Sequence, residues 1–369
     1  MHNKTIQIIT FDNPFPPNYG GTIDQFYKIK ALHAIGVIVY LHVFYTERND
    51  FSGLEPYCKK IYKYKRDTSF FKHLSILPFA VVTRKSNVLI ENLNKTNAPV
   101  LFESLRCTYL LKYHNFKQKT AVRCHNIEHD YSWGLFKSEP NWLKKGAYYI
   151  EGIKFKIYES VLKKADALFT ISHYETDYFK NIYGEKTAFL PVFQESEEVQ
   201  STNGFGKYAL YHGDLLISDN IKSAFFLIDV FKDLNKPLII ASSNHTAELL
   251  KKIDKYPNIT FEKIKDEFHL DNLIKNAHIN TLYSFQQSGT KLKVFNALFK
   301  GRYCMVNKNM VDDANVLQLC ELAETKQEYQ NAVEVLFTKE FKVTKKHYDI
   351  LEKYNVIHNA RNLIDFMYS

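Results

Sequence analysis

A near-continuous apolar run followed by a helix-length amphipathic stretch recurs along this chain, lapses near residue 193, and begins afresh at residue 208. Strands that are apolar at successive positions need cover on both faces. Alternation with helices supplies that cover and yields a parallel sheet. The pattern predicts strands at 5–10, 37–43, 88–91, 100–102, 120–124 and 167–171, and then at 208–212, 237–241, 259–261, 279–283 and 303–307. Helices are expected at 22–35, 141–164, 219–234, 245–255 and 267–276. The fold class is therefore α/β, with two Rossmann-like parallel-sheet domains facing a cleft. Their expected extents are 1–192 and 207–344, joined by a polar linker at 193–206. A helical tail over 345–369 is expected to pack back across the cleft.

A chain of 369 residues is long for one core, in keeping with two domains. Its hydrophobic share of 45% excludes a disordered protein. The net charge of +9 gathers partly in Lys59, Lys60, Lys63, Lys65, Arg66 and Lys72, interleaved with Tyr62, Tyr64, Phe70 and Phe71. Such a face suits an anionic membrane surface, and a plain solvated face is the alternative. No nucleic-acid motif accompanies it, so no nucleic-acid partner is expected. Cys58, Cys107, Cys124, Cys304 and Cys320 lie far apart without metal-ligand spacing, which points to reduced thiols and a cytoplasmic location. The chain runs from its start into a strand without a leader-like segment, and no apolar run approaches the ~20 residues of a membrane span. The expected location is cytoplasmic, with a peripheral seat on the inner face of the cell membrane.

Three places carry candidate chemistry, each at the carboxyl end of an expected strand, where open parallel sheets collect ligands. The first is a small polar turn, Ser288-Gly289-Thr290-Lys291, running into an apolar helix that stops at Gly301. Backbone N–H groups at such a helix start, with Lys291 or Lys293 alongside, suit a phosphate or diphosphate. Residues two apart on a helix diverge, so one lysine serves one phosphate; Lys291 is preferred, and Lys293 replaces it if the helix starts later. The second place is Gly20-Gly21, which lets backbone amides approach an anion or sugar, or serves as a plain turn. It does not form the dinucleotide fingerprint. The third is His125-Asn126-Ile127-Glu128-His129 behind the strand at 120–124. It reads as a polar rim or a set of loop caps, and its spacing fits no familiar metal helix. No metal and no cofactor are expected.

These pieces, in this order, resemble the retaining glycosyltransferases of GT-B fold in the group-1, glycogen-synthase-like (family 4-type) family. Gly20-Gly21 resembles that family's glycine loop, and His125-Asn126-Ile127-Glu128 its loop with a histidine beside the donor sugar. His212-Gly213-Asp214-Leu215 with Asn220 resembles the first strand and turn of its second domain, and 288–301 its nucleotide-sugar motif. The family often has two glutamates eight residues apart there, where this chain has Ser288 and Asn296. It also often has an arginine after the glycine matched by Gly213, where this chain has Asp214.

The resemblance implies a hexosyltransferase-like enzyme that moves a sugar from a UDP- or GDP-sugar to a glycan, lipid-linked or other hydroxyl acceptor, with retention and without metal. Negative charge develops on the leaving diphosphate, so preorganised donors aimed at it are the main catalytic contribution. His125 and Lys291 are the expected catalytic residues. Gly20, Gly21, Gly213, Ser288, Gly289, Thr290, Lys293 and Asn296 are expected to hold the donor, and Asn126 and Glu128 to form the acceptor rim. The alternatives are a catalytically weakened GT-B binding partner and a sugar-nucleotide epimerase.

Overall fold

The computed structural model describes residues 4–139, 141–286 and 291–369. The chain divides into two compact units, Met1–Glu197 with Tyr354–Ser369, and Glu198–Lys353.

The first unit holds a seven-stranded sheet of β1 (Thr5–Thr10), β2 (Ile38–Tyr45), β3 (Lys60–Lys65), β4 (Val100–Glu103), β5 (Thr120–Cys124), β6 (Ala167–Thr170) and β7 (Thr187–Phe189). Every pairing is parallel, in the order β3-β2-β1-β4-β5-β6-β7. Strand residues alternate between two buried layers. Ile6, Ile8, Leu41 and Leu101 pack with Phe26, Ile29 and Leu32 of the Gly20–Ala34 helix and with Leu363 and Met367 near the C-terminus. Ile9, Phe102, Val122 and Leu168 face a second layer built on Leu89, Leu93, Phe155 and Leu162. Both faces are thus covered, as near-continuous apolar strands require.

The second unit repeats the plan with β8 (Tyr208–His212), β9 (Leu238–Ser242), β10 (Ile259–Lys263), β11 (Ala277–Thr281), β12 (Tyr303–Val306) and β13 (Cys320–Leu322). Their order is β10-β9-β8-β11-β12-β13, again all parallel. In each sheet the strand order reverses beside the first strand, at β1/β4 and at β8/β11. Open α/β sheets bind ligands beyond such switch points.

Several local expectations change. Residues 88–91 form no strand but lie in the Asn87–Leu93 helix. Leu89 and Leu93, four apart, are its buried side, and Val88 is exposed, so helical spacing overrode a short apolar run. The basic run from Lys60 is an edge strand whose Lys60, Lys63 and Lys65 point to solvent while Tyr64 is buried. Lysines on an edge discourage pairing with other chains. The helix expected at 141–164 is Trp142–Tyr158, continued by a 3-10 segment, Glu159–Lys164. Phe193, where the linker was expected to begin, is fully buried in the first unit. The tail divides into Lys345–Leu351 and Val356–Tyr368. The latter packs on Gly20–Ala34 and is pinned by Lys4 to Asp365 (2.9 Å) and by the Tyr368 hydroxyl, which donates to the Thr5 carbonyl (2.6 Å).

Candidate active site

The carboxyl end of the first sheet holds a buried cluster of charge. The Gly20–Ala34 helix begins at the glycine pair itself, so Gly20 and Gly21 are its first turn and not a loop. Gly21 is needed there because a Cβ would come within 2.6 Å of the Phe11 ring. One turn on, Asp24 faces inward, and Lys28 follows at the next turn. The Lys28 ammonium donates to Asp24 (2.8 Å) and to Glu103 at the end of β4 (2.6 Å). Arg123 of β5 donates to Asp24 through Nη2 (2.8 Å), and the Phe193 amide adds another bond to that carboxylate (2.8 Å). His125 Nε2 lies 3.0 Å from Glu103, and its ring meets the Phe11 ring edge-on at 5.6 Å. All five charged or titratable side chains are buried.

Burial would raise the Asp24 carboxyl, but the charges of Arg123 and Lys28 outweigh it and hold its pKa well below the ordinary range. Glu103 is also lowered, with Lys28 and the His125 hydrogen bond overcoming burial. Asp24, Glu103 and His125 come close enough for their ligand atoms to share a metal ion. Lys28 already places its ammonium between the two carboxylates, so the cluster contains its own cation. What it achieves is a fixed His125 ring, with Nε2 committed to Glu103.

Asn126 is half-buried. Glu128, expected on the acceptor rim, is instead buried and fully engaged. It accepts from the Ser104 hydroxyl (2.9 Å) and from Arg106 Nε (3.0 Å) and Nη2 (2.7 Å). Burial works against the Arg106 charge, but Glu128 outweighs it and raises that pKa. Ser104 has a φ of 93°, a conformation that favours glycine, and its Oγ also accepts from the Arg106 amide (3.2 Å). The β4 end is therefore bent so as to present Arg106.

In the second unit, Ser288, Gly289 and Thr290 lie outside the described residues. The helix that follows runs Leu292–Lys300, with Lys291 as its N-cap residue. It stops at Gly301, whose backbone is extended, and a side chain is excluded there because a Cβ would lie 2.3 Å from the Asn280 side chain. Lys293 reaches the carboxyl end of β8. Its ammonium donates to Asn220 Oδ1 (3.1 Å) and sits 5.0 Å from the Tyr211 ring centre. Burial, followed by the charge of Lys291, lowers its pKa to about 8. The pKa of neighbouring His212 is pushed down to about 3 by burial and then by Lys293, and its Nε2 is buried with no hydrogen-bond partner among the described residues. Gly213 packs close to the Asn220 amide, which donates to the Asp214 carbonyl (2.9 Å). The Asp214 carboxylate accepts from the Leu216 amide (3.0 Å) and Asn244 (3.2 Å), so it serves the turn. Asn296, three residues beyond Lys293 and half-buried like it, lies on the same side of the helix.

Sequence reasoning named His125, Lys293 and Asn220 but missed Asp24, Lys28, Glu103 and Arg106. A signal existed for the first three. Asp24 and Lys28 are spaced four apart in the expected helix, and Glu103 ends the apolar run Val100-Leu101-Phe102.

No protein-family model matches the sequence. Over 181 residues the chain is 33% identical to an uncharacterised 44.6 kDa protein in the cps region of Klebsiella pneumoniae. That match takes in 47% of this chain and 46% of the relative, so it spans about half of each. Solved structures match along the whole length. Sucrose-phosphate synthase from Thermosynechococcus elongatus aligns with a TM-score of 0.63 at 14% identity, over 100% of this chain and 95% of its own. A glycosyltransferase from Rickettsia africae aligns at 0.64 and 13%, over 100% and 98%. A variant of TarM from S. aureus, in complex with Fondaparinux, alpha-GlcNAc-glycerol and UDP, aligns at 0.64 and 10%, over 99% and 100%. The chain has the GT-B fold of these proteins, two Rossmann-like parallel-sheet domains.

Proposed function

We propose that this protein is a retaining glycosyltransferase that moves a sugar from a UDP- or GDP-sugar to a hydroxyl acceptor on a glycan or lipid-linked sugar, without a metal. The observation that carries this reading is Lys293. Its ammonium bonds Asn220, which packs on Gly213, at the carboxyl end of the strand that borders the second switch point. A fixed cation there stabilises charge developing on a leaving diphosphate without reorganising during the reaction. Lys291 supplies a second positive charge nearby, as its effect on Lys293 records. The TarM variant with UDP supports a uridine nucleotide as the first donor to try.

In the first unit, His125 is assigned to the sugar and acceptor chemistry, oriented by Glu103. The metal-free reading has its support in Lys28, which neutralises the carboxylates that would otherwise recruit a cation. The seat of action is proposed to be the inner membrane face. Phe70, Phe71, Leu74 and Ile76 are exposed beside Lys72, and Trp142, Leu143, Ile150 and Ile157 are exposed on the Trp142–Tyr158 helix. Lys154 of that helix donates to the His73 carbonyl (3.0 Å), joining the two segments into one apolar and basic surface. No helix among the described residues is long and apolar enough to cross a membrane.

The test is calorimetric titration of UDP and GDP into the wild type, Lys293→Gln and Lys293→Arg. One nucleotide should bind, and the Gln variant should lose about 10- to 100-fold in affinity, as expected for a charge-assisted bond to phosphate. Because burial places the Lys293 pKa near 8, affinity should fall as pH rises through about 8 in the wild type and hold in the Arg variant. Equal binding by the wild type and Lys293→Gln would refute the assignment. With the donor known, product analysis by NMR decides anomeric outcome. Interconversion without an acceptor would indicate an epimerase, and binding without product a catalytically weakened partner.

A further inference from the structure

The carboxyl end of the first sheet carries more arginine than its acids balance. Arg48 follows β2, Arg66 follows β3, and Arg106 follows β4, while Arg84 lies beneath the end of β1. Arg84 is buried and grips the Phe11 carbonyl through Nε (2.9 Å) and Nη2 (2.6 Å), with a further bond to the Ala80 carbonyl. Arg66 donates from Nη2 to Thr83, the residue before Arg84 (3.0 Å). Its Nε is buried and has no hydrogen-bond partner among the described residues. The Leu105–Cys107 turn bearing Arg106 packs on the neighbouring Phe79–Val82 helix, which brings these guanidinium groups together.

Among the described residues, two carboxylates pair with them. Glu128 pairs with Arg106 (2.7 Å), and Asp12 stands 3.9 Å from Arg48 while accepting from the Tyr19 hydroxyl (2.9 Å). Arg66 and Arg84 form no ion pair among the described residues. The excess is felt within the group. After burial, the charges of Arg66 and Arg106 help to lower the Arg84 pKa to about 9. A guanidinium group without a carboxylate partner is a recognition device for planar or tetrahedral oxyanions, since Arg offers several donors in a fixed fork. The position is the β1/β4 switch point, between Asp12 and Arg106, where a ligand of this sheet is expected.

We infer that the arginines at the carboxyl end of the first sheet bind an anionic group on the acceptor, so that the enzyme glycosylates a phosphorylated or carboxylated sugar rather than a neutral one. This rests on the transferase reading above, with the first unit taking the acceptor. Arg66 is the key donor, because Arg106 is committed to Glu128 and Arg84 to the backbone. Arg66 would act as a specificity-determining residue.

The experiment titrates the full-length protein with three matched hexoses: glucose, glucose 6-phosphate and glucuronate. It compares the wild type, Arg66→Gln, Arg66→Lys and Lys293→Gln. The wild type should bind at least one of the charged sugars about tenfold or more tightly than glucose. The choice between them tells phosphate from carboxylate. That preference should vanish in Arg66→Gln, return in part in Arg66→Lys, and persist in Lys293→Gln. An unchanged melting temperature of Arg66→Gln separates lost recognition from lost folding. The inference is overturned if neither charged sugar outbinds glucose or if Arg66→Gln keeps the preference. It is also overturned if Lys293→Gln abolishes the preference, because the anion would then sit in the second unit. Each of these results leaves UDP and GDP binding to be judged separately, so the two readings fail independently.

Discussion

Replacing Lys28 by Met removes the cation from the centre of the first unit's buried cluster. The ammonium lies 2.8 Å from Asp24 and 2.6 Å from Glu103, and all three side chains are at most 2% exposed. Asp24 keeps Arg123, but among the described residues Glu103 is left with His125 alone. Removing one partner of a buried ion pair typically costs about 3–5 kcal/mol, since the other charge stays desolvated. The two tryptophans, Trp133 and Trp142, both lie in the first unit, so their fluorescence follows its unfolding alone. With a urea slope of about 2–3 kcal/mol per molar, the midpoint should fall by roughly 1–2.5 M. The pH dependence gives a second check. In the wild type the Asp24 and Glu103 pKa values are lowered, so their contribution is present above the unfolded values and is lost only as pH falls through the lower folded ones. In the variant, burial would dominate at Glu103 and raise its pKa, so the variant should gain stability as pH falls from 7.5 to 5. The gap between the proteins should therefore narrow. Lys28→Met combined with Glu103→Gln should recover much of the loss, because a neutral pair replaces an orphaned charge. A midpoint within about 0.3 M of the wild type, or a gap that ignores pH, would refute the role given to Lys28.

Two further outcomes follow from the packing and the surface. Gly301→Ala would place a Cβ 2.3 Å from Asn280 Nδ2 and 2.8 Å from the Ala297 carbonyl, and should destabilise the second unit by about 1–3 kcal/mol. Circular-dichroism melts should show this while the tryptophan transition stays in place; unaltered melts would contradict it. The wild type should co-sediment with phosphatidylglycerol vesicles at low salt and release them as salt rises, whereas Phe71→Ser with Ile76→Ser should remain in the supernatant. Equal recovery of the wild type with and without vesicles would remove the membrane surface.

The fold was legible because its signal is cumulative. Each apolar strand and amphipathic helix is weak evidence, but the alternation restarting at Tyr208 admits few architectures. Short edge elements escaped. β7 and β13 span three residues each, and β3 hid within a lysine run that reads equally well as surface. The candidate site divides in the same way. His125 and Lys293 could be named because they sit beside recognisable turns. Glu103, Asp24 and Lys28 come from two separate elements, so the four-residue spacing of Asp24 and Lys28 announces only that pair, and only the fold brings Glu103 to it. Arg106 was hidden for another reason. Its placement depends on the unusual backbone at Ser104, which no residue preference would suggest for a serine.

The same reasoning bears on one departure from the glycosyltransferase pattern, Asp214. An arginine after Gly213 would bring a positive charge to the carboxyl end of β8, and Asp214 removes it. The Asp214 carboxylate is taken up by the Leu216 amide and Asn244, and adds no free negative charge aimed at a ligand. The charge that the turn lacks is present from another direction, since Lys293 crosses the Tyr211 ring to reach Asn220 beside the same glycine. A diphosphate responds to where positive charge lies, not to which element carries it. The turn and the helix start are therefore one electrostatic unit. Restoring the usual residue with Asp214→Arg should crowd a second cation against Lys293 and lower its pKa further. The variant's nucleotide affinity should then fall off at a lower pH than the value of about 8 that marks the wild type. An affinity profile in Asp214→Arg that coincides with the wild type would show that the two positions do not share a ligand.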